Sequence, residues 1–414
     1  MRTPLSLREK GQRGLRLWPV GAVLTLVFAS AVLIAAAVFA TAWGLLDAQG
    51  LKREPRLDSR TFFDLVKLSF GVVAGAGALV ALVVAYRRQR VDEDGALREA
   101  TRLHTERFTA AVGQLGDPSA AVRLGGVHAL AGLADDAPTR ALRQTCVDVL
   151  CAYLRLPYIT EAHLPGDDAD ARHAYLSLRE VRHTVIRLIR DHLRLDADHP
   201  HSWQGHDFDF TGVVFDGGDF TRAVFSGGIV DFGRAVFRDA RVSFENALFT
   251  GGIVDFGRAV FPDGTVSFEN ALFTGGIVDF RRAVFSGGTV TFARAVFSGG
   301  GVDFTRAVLS RGVVDFKGAV FSGGTVDLVR TVLSGGWADF RQAVFKGGIV
   351  DFTQAVLSGG VIDFRNAVFS GGTVKLARTV FTGGAIASEG AVGDLPLGLV
   401  DQAEPPLPDD PFPA

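Results

Sequence analysis

The sequence has few of the residues that mark disulfide-rich, metal-binding or catalytic proteins. Its 414 residues include only two cysteines, Cys146 and Cys151. Two thiols supply neither a disulfide framework nor a zinc-ligand set, so we expect free thiols in a reducing compartment. P-loop, dinucleotide-binding and nucleophile-elbow motifs are also missing from the sequence. We therefore expect a non-enzymatic protein without cofactors, and assign no catalytic, cofactor-binding or metal-binding residue.

An excess of one charge is missing too. The formal net charge is −2, from 43 basic and 45 acidic residues. The total charge thus favours no class of partner, and nucleic acid is not an expected one. Tyrosine is scarce, since 4 tyrosines accompany 33 phenylalanines. This excess of phenylalanine comes from a single tandem repeat.

The repeat has a twelve-residue period, F-S-G-G-x-V-D-F-x-R-A-V, and runs from Phe220 to about Val392. One series of Phe or Leu begins at Phe220 and a second at Phe225, and neither contains an insertion. Such regularity predicts a solenoid, in which each unit buries its apolar side by stacking on its neighbours. We assign residues 220–392 to this solenoid.

Each unit contains two alternating triplets, V-D-F and A-V-F. Alternation directs the middle residue, such as Asp231 or Val236, outward and its neighbours inward. The inward residues of one unit are then Val230, Phe232, Ala235 and Phe237. Equivalent phenylalanines should stack about 4.8 Å apart along the strand-pairing direction. Glycine pairs such as Gly227-Gly228 should form corners with positive φ.

These triplets resemble pentapeptide-repeat proteins, which alternate a small residue, Asp or Asn, Leu or Phe, and two free positions. The resemblance implies a right-handed quadrilateral β-helix with the large residue in the core. This chain departs from it, because the spacing alternates between 5 and 7 and valine often replaces the outward Asp or Asn. Residues 225–248 and 249–272 are nearly the same segment, repeated once. That repetition favours a coil made of two units and about seven coils; a coil of one unit, with a recent duplication, is the alternative.

Two uncharged runs precede the repeat, within residues 18–90. Residues 18–46 and 68–86 are each predicted as a transmembrane helix, together forming a hairpin in the lipid bilayer. The basic tail 1–17 and the arginines after Tyr86 favour the cytoplasm for both ends, so we expect a multi-pass cell-membrane protein with cytoplasmic C-terminal domains. Gly71 and Gly75 form a GxxxG motif, which favours packing of the two spans over a homodimer. The alternative for the first run is a signal peptide, for which it is too long.

Residues 91–195 show four amphipathic helical patterns and predict a small all-α module, either a HEAT-like stack or a bundle. A loop is expected over 161–172. The segments 106–117 and 122–130 resemble the helical module that precedes pentapeptide repeats in actinobacterial membrane proteins. Residues 196–219 should form a linker and cap, in which Trp203, Phe208 and Phe210 plug the first coil. The Pro-rich acidic tail 393–414 is predicted to be disordered.

Two groups of polar residues are candidate sites. His199, His201 and His206, with Asp207 or Asp209, have the atoms of a metal site, but a polar linker is the favoured interpretation. A ladder of aspartates resembles calcium-binding repeats, but pairing with arginines of neighbouring coils explains it better. This ladder comprises Asp303, Asp315, Asp327, Asp339, Asp351 and Asp363.

Three functions are compatible with this organisation. The first is a membrane-anchored scaffold that presents the solenoid to an unidentified cytoplasmic protein. The second is DNA mimicry against a topoisomerase, which some pentapeptide-repeat proteins perform. It requires an acidic surface, whereas arginines such as Arg234 and Arg258 run beside the aspartates. The third is a metal-dependent sensor or enzyme that uses the histidine linker. The scaffold is the favoured hypothesis.

Overall fold

A computed structural model of the chain describes residues 25–26, 28–30, 32–33, 36–37, 40–41, 59–164, 168–238 and 241–394. The chain divides into two compact units, residues 1–100 and 101–414. The second unit contains a helical module and a β-solenoid, while the first contains apolar helix.

Helix α1, Ser59–Leu115, is 57 residues long. It runs without interruption through the predicted domain boundary at 91, because the charged segment after Tyr86 consists mostly of residues that favour helix. Its stretch Phe62–Leu115 is, among the described residues, the one helix long and apolar enough to cross a bilayer. Scattered residues between Thr25 and Thr41 are helical and exposed. The remainder of the predicted first span, the tail 1–17 and the loop before α1 lie outside the described residues.

Among the described residues, the GxxxG motif of α1 makes no close helix contact. Apart from the neighbouring residues and backbone of α1 itself, no atom of the described residues lies within 4 Å of a Cβ placed on Gly71 or Gly75. Instead, an apolar groove of about 590 Å³ lies beside Gly75, lined also by Phe28, Val32 and Leu82. The predicted close packing of two spans at this motif is therefore not seen in the described part of the chain.

The helical module consists of the end of α1 followed by three helices: α2 (Ala120–Asp135), α3 (Arg140–Leu154) and α4 (Ala169–Leu193), with a 3-10 turn at Glu161–His163. Helix α4 begins inside the loop expected over 161–172, because the Asp168 side chain accepts a hydrogen bond from Ala171 N and caps the helix. The two cysteines are buried free thiols, as expected. Burial raises the pKa of Cys146 to about 11 and that of Cys151 to about 12, so neither is a reactive thiolate.

The C-terminal region is a β-solenoid of eight coils with four parallel sheets of eight strands each. Sheet A contains strands Phe208–Asp209, Ile229–Asp231, Ile253–Asp255, Ile277–Asp279, Gly301–Asp303, Thr325–Asp327, Ile349–Asp351 and Thr373–Lys375. Sheet B contains Val214–Phe215, Val236–Phe237, Val260–Phe261, Val284–Phe285, Val308–Leu309, Val332–Leu333, Val356–Leu357 and Val380–Phe381. Sheet C contains Gly218–Asp219, Arg241–Ser243, Thr265–Ser267, Thr289–Thr291, Val313–Asp315, Trp337–Asp339, Val361–Asp363 and Ala385–Ala387. Sheet D contains Val224–Phe225, Leu248–Phe249, Leu272–Phe273, Val296–Phe297, Val320–Phe321, Val344–Phe345, Val368–Phe369 and Val392–Gly393.

Strand pairing settles the coil length at two sequence units, since Ile229 pairs with Ile253 and Ile253 with Ile277. One repeat unit of the sequence is therefore half a coil. The solenoid begins at Phe208, before the predicted start at 220, and has eight coils instead of about seven. Its first coil is shorter by two residues. Val214 and its partner Val236 are two positions closer in sequence than Val236 and its next partner, Val260. The two missing residues belong to the corner between sheets B and C, at Asp216.

The predicted core register is confirmed. Val230, Phe232, Ala235 and Phe237 are all buried, whereas Asp231 and Val236 are partly exposed. Phe232 stacks on Phe256 of the next coil at 4.7 Å between ring centroids and 3° between planes. Within its own coil Phe232 meets Phe244 edge to face at 5.7 Å. The interior is thus filled by aromatic columns that also contact one another across the coil.

The corners follow the glycine prediction only in part. Gly228 and Gly252 have positive φ angles of 74° and 75°, as expected. At Gly312 the constraint is space instead, because an added Cβ would lie 2.5 Å from Phe285 Cβ of the preceding coil. Positive φ angles also occur at residues that lack the conformational freedom of glycine. These residues follow the aspartate, or the residue in its position, by three places, as Arg234 does with a φ of 58°.

Phe292→Ala should lower the free energy of unfolding by about 3–5 kcal/mol, because it opens a cavity in a stacked column. Phe292 is buried between Phe268 and Phe316, at 4.8 and 4.9 Å. Chemical denaturation of the full chain in detergent measures the change.

Arg294→Ala is the matched control at an exposed position of the same coil. Its guanidinium contacts Glu269 and Asn270 of the preceding coil. Exposed ion pairs contribute about 0–1 kcal/mol, so the unfolding midpoint should barely change. Equal effects of the two substitutions would contradict the stabilising role assigned to the columns.

Candidate functional site

The outer surface of the solenoid carries two charged ladders, and the first is acidic. Aspartates of sheet A lie in register on successive strands, from Asp209 and Asp231 onward. The acidic ladder comprises Asp209, Asp231, Asp255, Asp279, Asp303, Asp327 and Asp351. It ends at Lys375, whose Nζ lies 3.5 Å from Asp351. The aspartates predicted to form one ladder are therefore divided between two sheets, since Asp315, Asp339 and Asp363 lie on sheet C.

The ladder aspartates mainly stabilise turns. Oδ1 of Asp231 accepts a hydrogen bond from Gly233 N at 2.7 Å, and Oδ1 of Asp303 accepts one from Thr305 N at 2.7 Å. A carboxylate that accepts from the backbone two residues later closes a turn and explains aspartate at this position without a ligand. Burial raises the pKa of Asp255, and the neighbouring Asp279 and Asp231 add to the rise.

The second ladder is basic and occupies the corner between sheets A and B. It comprises Arg234, Arg258, Arg282, Arg306 and Arg330. All five side chains are exposed and have left-handed backbone. Among the described residues none of them forms an ion pair with a ladder aspartate, so the predicted pairing is wrong for these arginines.

Ion pairs instead involve the residue two positions after an aspartate. Arg341 Nη2 lies 2.7 Å from Asp339, and Arg365 Nη2 lies 2.6 Å from Asp363. The expected contact between coils is present only at longer distance, with Arg341 Nε 3.8 Å from Asp363. Both carboxylates are fully buried, which also differs from the exposed pairs predicted.

Together the acidic and basic ladders border a groove of about 660 Å³ along this corner. Its walls include Asp231, Asp255, Arg234, Arg258 and Arg282. The backbone beneath is fixed between coils, as in the hydrogen bonds from Arg234 N to Gly257 O and from Arg258 N to Arg281 O, both 3.0 Å. The groove therefore presents aspartate and arginine side chains from fixed backbone positions at the spacing of the strands, about 4.8 Å.

The histidine linker does not assemble into one site. His199 contacts His201 edge to face at 5.3 Å, and His201 Nδ1 lies 3.8 Å from Asp135. His206 is buried apart from them and its Nδ1 lies 3.3 Å from Trp203 O. Burial lowers the pKa of His206. In the described part of the chain, no group of three or more His, Cys, Asp or Glu residues is arranged to hold a metal ion.

Trp203, predicted to plug the first coil, attaches the linker to the helical module. Its indole stacks on His192 at 4.0 Å, and its Nε1 donates a hydrogen bond to Asp135. His192 Nε2 lies 3.1 Å from the other oxygen of Asp135. Burial opposes charge on His192, but Asp135 and the Leu188 carbonyl outweigh it and raise its pKa. Phe208 and Phe210 belong to the first coil itself, where Phe210 stacks on Phe232 at 4.9 Å.

Sequence reasoning missed the junction around Asp216, in the shortened corner of the first coil. Tyr158 and Tyr175 donate hydrogen bonds to its carboxylate at 2.5 and 3.0 Å, and His183 lies 3.3 Å away. Burial raises the pKa of Asp216, but the hydrogen bonds from His183, Tyr158 and Tyr175 outweigh it and lower the pKa to about 2. The five-residue step from Phe215 to Phe220, in place of seven, is the signal that marked this corner.

Neighbouring contacts reinforce the same junction. The buried Arg182 donates hydrogen bonds to Leu154 O at 2.6 Å and Val214 O at 2.7 Å, and so links α3, α4 and sheet B. Gly217 has φ 138°, and a Cβ there would lie 3.2 Å from the His183 ring. The helical module is therefore fixed to the first coil by specific polar contacts and close packing.

Residues 210–260 match a family model described as pentapeptide repeats (9 copies). This part of the chain is thus a pentapeptide-repeat β-solenoid, as the resemblance predicted. The match includes the coil in which Phe210, Phe215, Phe220 and Phe225 keep the five-residue spacing. Comparisons with curated proteins and with solved structures gave no match.

Asp216→Asn should lower the free energy of unfolding by about 2 kcal/mol at neutral pH, the value that corresponds to a pKa lowered from 3.8 to about 2. Because the folded-state pKa is the lower one, this contribution is present above pH 3.8 and disappears as the pH falls through about 2. Unfolding titrations of both proteins between pH 7 and pH 2 measure it.

The free energies of unfolding of the unaltered protein and of Asp216→Asn, plotted against pH, should converge at the acidic end. Asp231→Asn is the control, since an asparagine Oδ1 can still accept the turn hydrogen bond at that position. Parallel curves that keep a constant separation down to pH 2 would show that the charge of Asp216 does not stabilise the junction.

Proposed function

We propose that the protein is a non-enzymatic, membrane-anchored scaffold, whose solenoid binds a cytoplasmic protein along the groove between the acidic and basic ladders. The observation that carries this proposal is the basic ladder itself. Five exposed arginines project from consecutive coils without an ion pair to the adjacent aspartates. Surface arginines held in a fixed row are well suited to bind carboxylates of a partner.

The rigidity of the solenoid supports a binding role. Each arginine occupies a corner whose backbone is hydrogen-bonded to the next coil, so little backbone entropy is lost on binding. The row of five spans about 20 Å at strand spacing, which fits a standard protein interface. The acidic ladder beside it favours a partner that carries both charges in matching rows and disfavours a uniformly charged one.

Membrane anchoring is proposed from the surface of α1. Leu68, Phe70 and Val73 are 71%, 71% and 69% exposed, and lie in one continuous apolar stretch. Such a surface is unfavourable in water and suits a lipid environment. Arg87, Arg88 and Arg90 follow it and favour the cytoplasm for the C-terminal side. A second span at 18–46, forming the hairpin of an actinobacterial-type membrane protein, is part of the same proposal.

The two other hypotheses have less support. DNA mimicry needs a continuous acidic surface, and here the acidic ladder lies beside five exposed arginines. The aspartates also use one carboxylate oxygen in turns, as Asp231 does with Gly233. A metal-dependent sensor would need the linker histidines to converge, but the described residues contain no group of three or more His, Cys, Asp or Glu residues arranged to hold a metal ion.

Charge reversal at the basic ladder tests the binding groove. We expect Arg258→Glu/Arg282→Glu to lower recovery of a protein partner by about tenfold or more, since like charges then face its carboxylates. The measurement is quantitative cross-linking and co-purification from native membranes.

Arg222→Glu/Arg294→Glu is the matched control, because both residues have the same left-handed backbone at the opposite corner, between sheets C and D. Net charge then changes equally, the control additionally loses the Arg294–Glu269 ion pair, and the partner should be retained. Equal loss in both variants, or no reproducible partner from the unaltered protein, would contradict the proposed groove.

Anchoring is tested separately by alkaline carbonate extraction of membranes. The full chain should remain in the membrane pellet, because its apolar helix is embedded in lipid. A chain that begins at Thr101, the start of the second compact unit, should appear in the supernatant. Extraction of the full chain by carbonate would show that α1 is not embedded.

A further inference from the structure

The outward side of sheet C is buried over coils five to eight, where exposed residues would be expected. Val313, Trp337 and Val361 are only 8%, 5% and 2% exposed. They point outward, because the residue after each of them in its strand points into the core. The same outward position on sheet A behaves differently, since Ile229 and Ile253 are 50% and 42% exposed. Stacking between coils alone therefore does not bury this position.

The last coil gives the sharpest comparison, because no coil lies beneath it. On sheets B and D of this coil Val380 and Val392 are 49% and 55% exposed. On sheet C of the same coil Ala385 and Ala387 are only 5% and 2% exposed. The strand Ala385–Ala387 has a β partner on one side only. The described coils thus do not account for the covering of sheet C.

Polar groups on this face indicate what the cover must supply. Trp337 Nε1 is buried without a hydrogen-bond partner among the described residues, and an indole N–H in that position calls for an acceptor. Arg341 and Arg365 border the same patch and pair with Asp339 and Asp363. Their positive charge favours acidic groups in the segment that covers this face. The face therefore suits an apolar segment with free carbonyl groups and acidic side chains.

We propose that the C-terminal segment, residues 395–414, binds this outward face of sheet C. The segment contains six prolines, and also Leu395, Leu397, Leu399, Leu407 and Phe412. Proline-rich chain is extended, has no N–H at each proline, and keeps its carbonyl groups available. Its four acids, Asp401, Glu404, Asp409 and Asp410, complement the two arginines. The segment thus has the three properties that the face requires.

The position of the chain permits this contact. The last described residue, Asp394, directly follows the final strand of sheet D. Twenty extended residues reach up to about 66 Å, whereas coils five to eight span about 14 Å along the axis. In this proposal the segment is an internal ligand, whereas the sequence predicts a disordered tail; residues 395–414 lie outside the described residues. This contact lies on sheet C and is independent of the proposed partner groove between sheets A and B.

Tryptophan quenching in the full chain tests the proposal. Trp18→Phe/Trp43→Phe leaves Trp203 and Trp337, of which Trp203 is fully buried in the helical module. In detergent, a stop after Asp394 should raise the acrylamide quenching constant about threefold or more and shift the emission to the red, because Trp337 becomes exposed to water. A synthetic peptide of residues 395–414 should restore both values, and a scrambled peptide should not.

Two further variants keep the test decisive. Adding Trp337→Phe to the truncated chain should abolish the change, since Trp203 remains buried. If truncation impairs folding, Leu407→Ala/Phe412→Ala in the full chain should give the same rise in quenching with an unchanged far-UV spectrum. Quenching that is unaffected by truncation and by the double substitution would overturn the proposal. Protection that persists after truncation but is lost on dilution would identify a second copy as the cover and would also overturn it.

Discussion

The parallel stacking of phenylalanine rings is the interaction on which the rest of the structure depends. Rings of equivalent residues, such as Phe256 and Phe280, are 4.7 Å apart and nearly parallel. This distance satisfies both the contact between rings and the hydrogen bonds between parallel strands. Every coil must therefore have its large residues at the same four places, and every outward residue then repeats at the same short interval along the axis.

That short interval is also a difficulty, because identical charges are stacked on each other. The solenoid reduces it in two ways. The carboxylates of Asp231 and Asp303 accept backbone hydrogen bonds in turns, and arginines such as Arg341 and Arg365 neutralise the buried aspartates of sheet C. Among the described residues the basic ladder lacks such compensation, which is why it stands out as a surface for carboxylates from outside the chain.

Structural features that repeat with the sequence period could be predicted, whereas features that depend on one particular contact could not. Period and alternation were enough to place Phe232 and Val230 in the core. The choice between one and two sequence units per coil needed strand pairing, because both halves of a coil have the same apolar pattern. The role of Asp231 in a turn depends on a backbone N–H that no side-chain pattern shows. Asp216 was missed because its partners, Tyr158 and Tyr175, are distant in sequence and come together only in the folded chain.

The equivalence of the two half-coils has a consequence for how such a chain can change in length. Sheets A and C carry the same inward pattern, so gain or loss of one repeat unit would leave the apolar interior continuous. All later strands would then exchange sheets, and the surface below that point would be turned by half a revolution relative to the helical module. Gain or loss of two units would preserve the facing of every surface. Insertion or deletion of a whole coil therefore preserves the facing of every surface, while insertion or deletion of a single unit reorients all surfaces below it.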